Sequence, residues 1–144
     1  MEDLFNLERF VSAQAAVYEQ ALSELRAGEK RTHWIWFIFP QMKGLGRSPQ
    51  ANHFGIGSLE KAVAYLRHPV LGPRLCQCTR LVTLVEGRTI REILGSPDDM
   101  KFRSSMTLFG RATVDAALDP TDFNDALKKY FNGEADPLTL EILR

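Results

Sequence analysis

Residues 34–39, Trp-Ile-Trp-Phe-Ile-Phe, lie between His33 and Pro40 and carry no charged or amide side chain on any face. Whether such a run coils or extends, it has to be covered on every side, so amphipathic elements must be available to surround it. Its uniform hydrophobicity leaves buried helix and buried strand equally open, because no periodicity separates them. Six residues fall far short of the ~20 needed to cross a bilayer, so the run reads as core and no membrane partner is expected. The acidic start, MEDLFNLERF, has neither the basic nor the long apolar region of a secretory leader, and a cytoplasmic protein is expected.

The surrounding elements read as helices. Leu7, Phe10, Val11, Val17, Ala21, Leu22 and Leu25 recur at steps of three and four, with a break at residues 12–14 and a stop at Gly28. Gly44, Gly46 and Pro49 mark a loop after the aromatic run. Ser48-Pro49, Ser96-Pro97 and Asp136-Pro137 each look like an N-cap followed by proline in the first helical position. Ser58 opens a helix that His68-Pro69 must end, and residues 70–85 carry another. Thr89 caps a short helix closed by Gly95. The next helix starts with Asp98 and Asp99 in its first turn, and segments at 122–131 and 138–143 complete the set. The expected fold is all-α, a single compact orthogonal helical domain over residues 1–144 with about seven to eight helices.

Composition narrows the function classes. With 144 residues, 44% hydrophobic and 25% charged, the chain has enough apolar surface for a core and lies outside the disordered range. A formal net charge of zero argues against a globally basic nucleic-acid binder. The charge is nonetheless uneven: residues 1–25 and 115–144 each carry −4, and residues 26–114 carry +8. Either a mid-chain surface favours an anion, or acidic ends neutralise a basic middle. Cys76 and Cys78 project ~200° apart on a helix, so they neither bridge nor chelate, and with scattered histidines no metal or other cofactor is expected.

Three stretches could carry chemistry. In the first, His33, Trp34, Trp36 and Gln41, with Lys43 and Arg47 following, could wall a slot for a ring and hold its phosphate or carboxylate. The same aromatics could equally be core. The Gly44–Gly46 loop before Ser48 adds a helix start suited to an anion. In the second, Asp98, Lys101 and Ser105 share one helix face, with Asp99 and Ser104 beside them. Asp98 or Asp99 would activate water and Lys101 would clamp an anion. Alternatively, Asp98 and Lys101 are a surface pair, and Ser105 bonds back to its helix. In the third, His68 is a ligand contact or a turn-bonding cap.

These stretches, residues 33–41 (HWIWFIFPQ), 65–75 (YLRHPVLGPRL) and 99–109 (DMKFRSSMTLF), with Gly44-Leu45-Gly46, resemble the signature segments of the bacterial family called domain of unknown function 1810. The likeness runs from about Leu7 to Leu143. It implies a small, mainly helical, cytosolic protein without an assigned activity. Members often carry the label calpastatin, but that inhibitor is a long disordered chain, and this composition is globular. Members also tend to have proline near Ala15 or Ala16, which this chain lacks. Together these readings favour a pocket for an anionic, ring-bearing small molecule, a nucleotide or ADP-ribose-like compound, with its hydrolysis as the catalytic version. A non-catalytic protein-interaction module is the competing reading.

Overall fold

The computed structural model describes residue 3 and residues 5–143, and among these every regular element is a helix. In chain order they are α1 (Glu8–Ala15), α2 (Tyr18–Ala27), α3 (Ile35–Ile38), α4 (Pro49–His53), α5 (Leu59–Arg67), α6 (Leu71–Leu84), α7 (Ile90–Leu94), α8 (Asp98–Asp115), α9 (Thr121–Phe131) and α10 (Pro137–Ile142). Four of these, α3, α4, α7 and α10, are no longer than six residues. α4, α7 and α10 begin at or near the caps read from Ser48-Pro49, Thr89 and Asp136-Pro137.

The aromatic run turns out to be α3, one helical turn flanked by Trp34 and Phe39. Pro40 stops it from continuing, since proline disfavours the helical conformation of the residue before it. Trp34, Ile35, Ile38 and Phe39 are buried, whereas Trp36 and Phe37 are half-buried. The Phe39 ring meets Phe102 of α8 edge-on at 4.9 Å. That contact ties the first third of the chain to its central helix.

α8 is the hub and touches α3, α5, α7, α9 and α10. Phe102, Met106, Leu108, Phe109 and Ala112 on it are completely buried. Truncating one such phenylalanine to alanine costs roughly 3–5 kcal/mol in a packed core. α5 and α6 approach so closely that a Cβ at Gly72 would lie 2.0 Å from the Leu66 carbonyl oxygen. Only glycine fits there.

The capping residues behave as chemistry dictates at Ser48, Ser58 and Asp136, whose side chains accept from Ala51, Lys61 and Thr139 backbone N–H groups. Thr89 and Glu92 form a reciprocal capping box. Gly28 ends α2 at φ +74°, a left-handed conformation that glycine adopts without strain. Two boundaries differ from the sequence reading. Ser96 makes no cap; Pro97 holds that position, and α8 starts at Asp98. The break between α1 and α2 falls at Ala16 and Val17, not at residues 12–14. The reason is Gln14, a polar residue that interrupts the apolar pattern yet is buried, donating to the Phe37 carbonyl at 2.7 Å and to the Tyr65 hydroxyl at 3.2 Å.

Candidate functional site

Two clefts are lined by several polar side chains, and each is built by long-range contacts. The first lies along the start of α8. Its foundation is Glu24 of α2, which is 4% exposed and accepts hydrogen bonds from Arg31 N, Thr32 N, Thr32 Oγ1, Gln20 Nε2 and the Trp34 indole Nε1. Burial alone would raise the Glu24 pKa, but these donors outweigh it and bring the carboxyl down to about 2. Trp34 is therefore pinned in the core, 1% exposed, and walls no open slot.

Above Trp34, Lys30 Nζ sits 5.0 Å from the indole ring and 2.8 Å from Asp98 Oδ2. Asp98 Oδ1 is 3.5 Å from Lys101 Nζ, which in turn lies 5.0 Å from the Trp36 ring. The Asp98–Lys101 pair read from spacing is thus formed, with Lys30 as a third member. Each Asp98 oxygen thus faces an ammonium group. Among the described residues Asp99 has no such partner and accepts only from the neighbouring Met100 N–H.

Gln41, Lys101 and Ser104 converge with Asp136 and Leu138 on a cleft of about 260 Å³ between the 41–46 loop, α8 and α10. Ser104 donates to Met100 O and to Asp136 Oδ2. Ser105, one residue on, points into the core with no exposure and no hydrogen bond to its Oγ among the described residues. It neither lines the cleft nor bonds back to α8.

The second cleft, about 400 Å³, is lined by Arg9, Lys43, His53, Asn52 and Lys61 among others, with no carboxylate among its described lining residues. All three cations border one strap, residues 53–57, but only Arg9 is fixed to it through its charged group. Arg9 of α1 donates through Nε to His53 O at 2.8 Å and through Nη2 to Gly55 O at 3.2 Å, and its Nη1 bonds the Phe5 and Asn6 carbonyls. Lys43 donates its backbone N–H to Ile56 O at 2.8 Å, and Ile56 returns one to Gln41 O. A Cβ at Gly55 would lie 2.7 Å from Lys43 Cα, so glycine permits the close approach. Lys61 lies over Gly57.

None of these cations makes an ion pair among the described residues. Burial depresses the Arg9 pKa and Asp3 counters it. Asp3, the carboxylate nearest in influence, spends its oxygens on the Leu7 and Glu8 N–H groups.

Residues 4–143 match a family model described as a protein of unknown function, DUF1810. The chain belongs to the DUF1810 family. No curated protein matches it. It is similar to the conserved hypothetical protein Rv1873 from Mycobacterium tuberculosis, known as a crystal structure, at 57% identity over 98% of each chain with a TM-score of 0.94.

Several predicted residues of this DUF1810 chain lie apart from both clefts. His33 and Arg47 are exposed on connecting segments. His68 accepts through Nδ1 from Val70 N at 3.1 Å and Leu71 N at 3.3 Å, so it caps the start of α6 as an acceptor. The thiols stay unpaired, and burial pushes Cys78 up to about 12. Among the described residues no group of three metal-ligating side chains forms, and no helix is long and apolar enough to cross a membrane. Sequence reading missed Arg9, His53, Lys61 and Asp136. Arg9 stands in a segment whose summed charge is negative, and only contacts 44 to 46 residues away bring it to Lys43 and Lys61.

Proposed function

We propose that this protein binds a small anionic molecule, phosphate- or carboxylate-bearing, in the cleft over residues 53–57. The observation that carries the reading is three cations, Arg9, Lys43 and Lys61, on one polar cleft without a carboxylate among its described lining residues. Arg9 is anchored through its guanidinium, whereas the exposed Lys43 and Lys61 side chains would be ordered by the ligand. The start of α5, just beyond Gly57, adds the partial positive charge of a helix N-terminus. A volume of about 400 Å³ lies within the usual range for small-molecule sites. In a nucleotide or ADP-ribose-like ligand the phosphates would meet the cations, and His53 would offer its ring to the base. Asp98 and Asp99 do not line this cleft, so the reading is of binding and not of hydrolysis.

The interaction-module alternative rests on exposed Leu84, Val114 and Leu138. Val114 stands in the last turn of α8, at the opposite end of that helix from Met100, which lines a cleft together with Leu138.

A thermal-shift panel of phosphate, pyrophosphate, nucleotides, ADP-ribose and citrate at fixed ionic strength tests the proposal. At ~100 times its dissociation constant a ligand adds about 2.7 kcal/mol, a readily visible shift. Stabilisation of wild type and Lys101→Ala, lost in the Lys43→Ala/Lys61→Ala double variant, is the expected outcome. A flat panel, or a shift that survives in the double variant, overturns it.

A further inference from the structure

The cleft along α8 holds an oxygen that the fold leaves unused. Asp136 is 7% exposed and lines that cleft. Its Oδ2 accepts from Ser104 Oγ at 2.9 Å, Thr139 N at 3.2 Å and Thr139 Oγ1. Its backbone N–H donates to Thr107 Oγ1 at 2.8 Å. Arg103 clamps the carbonyls of Glu134 and Ala135 just before it. The carboxyl group is therefore rigidly placed, yet Oδ1 receives no donor among the described residues. Oδ1 is not sealed from solvent, so it is open on the cleft side, and a ligand ammonium there would take the place of water.

A second charge stands close by. Lys101 lies one helical turn before Ser104, the residue that holds Asp136, and residues three apart on a helix are neighbours at about 5–6 Å. Its ammonium has Asp98 at 3.5 Å and the Trp36 face at 5.0 Å, which leaves N–H donors available to the cleft. A bare cation would be attracted by Asp136 but opposed by Lys101. A bare anion meets the reverse. Leu45, Met100 and Leu138 make the remaining walls apolar, and 260 Å³ is below the ~300 Å³ at which drug-sized sites begin.

We infer that this cleft is a second binding site, for a small zwitterion of the α-amino-acid type with an apolar side chain. The ligand ammonium donates to Asp136 Oδ1, its carboxylate accepts from Lys101 and the Gln41 amide, and its side chain lies against Leu45, Met100 and Leu138. The site is separate from the cationic cleft, and neither reading depends on the other.

An amide-shift NMR titration of the full chain with L-leucine, leucinamide and isocaproate tests this. Leucine should move the signals of Gln41, Leu45, Ser104 and Leu138 saturably. The other two probes, each lacking one charge, should bind about tenfold or more weakly. Asp136→Asn keeps an N-capping side chain and should weaken leucine about ten- to a hundredfold. Lys101→Met, at a partly exposed position, should weaken leucine and isocaproate while leaving leucinamide unchanged. Equal responses to all three probes overturn the inference, as does tight binding of leucinamide alone. No response, or shifts scattered away from this cleft, does the same.

Discussion

Around the start of α8 nearly every charge has a partner: Glu24 collects five donors, and Asp98 joins Lys30 to Lys101. Over residues 53–57 the opposite holds, and three cations share a cleft without an ion pair among the described residues. Both regions are rich in polar residues, and from sequence the first looks the more functional. The difference teaches that matched charge is spent on the fold. Charge that no carboxylate neutralises is what remains most available to an anion.

The comparison breaks most visibly at Glu24. Replacing it with alanine leaves the Trp34 indole and two backbone N–H groups without their acceptor, at about 1–3 kcal/mol for each buried group. Chemical denaturation should therefore show a loss of about 3 kcal/mol or more. The pH dependence follows from the same carboxyl. Its folded pKa is depressed to about 2, so the unfolded chain takes up the proton first as pH falls. The stabilisation is complete above the ordinary glutamate value near 4.5 and is lost as pH drops toward 2, about 3 kcal/mol in all. Glu24→Gln should lack this acid limb in a pH series of denaturation curves.

Asp98→Asn comes next. The Lys30 side chain is only 6% exposed and would lose its counter-charge, so a loss of about 2 kcal/mol is expected by denaturation, below the full cost for a deeply buried pair. Replacing both partners with apolar residues, as Lys30→Met/Asp98→Leu, should recover most of it. At the other cleft the sign of the comparison reverses. Lys43→Ala and Lys61→Ala should leave stability within about 0.5 kcal/mol. Each should instead weaken anion binding about tenfold by calorimetry, so that the double variant no longer binds measurably, an effect that shrinks as added salt screens the charges. His68→Ala removes the acceptor at the start of α6 and should cost about 1 kcal/mol, less than either change at Glu24 or Asp98.

Local chemistry made much of the fold legible. Caps at Ser48, Ser58, Thr89 and Asp136, and stops at Gly28 and Gly95, act within four residues and can be read directly. The periodic faces of α6 and α9 are equally plain. The aromatic run was undecidable, because its conformation depends on what surrounds it and not on its own pattern. Gln14 misled for a related reason: a buried amide looks like a break until its partners, 23 and 51 residues away, are in place.

The sites were less legible. Sequence reading identified Gln41, Lys101 and Ser104 as cleft residues, but not Asp136, which looked like a plain helix cap and is one. Trp34 seemed a slot wall because its partner, Glu24, lies on a different helix. Lys43 was found without its companions, since Arg9 belongs to an acidic segment and reaches the cleft only through carbonyls at His53 and Gly55. Segment charges cannot reveal a cluster assembled across three elements.

The most direct test of the contrast between matched and unmatched charge is a pyrophosphate titration of the uniformly labelled protein, followed by its backbone amide signals. Saturable shifts confined to Lys43 and residues 52–61, unchanged in Lys101→Ala and abolished in Lys43→Ala/Lys61→Ala, are the predicted result. Shifts centred on Gln41, Lys101 and Ser104 that persist in the double variant would contradict the account, because an anion would then be choosing the region whose charges are already paired.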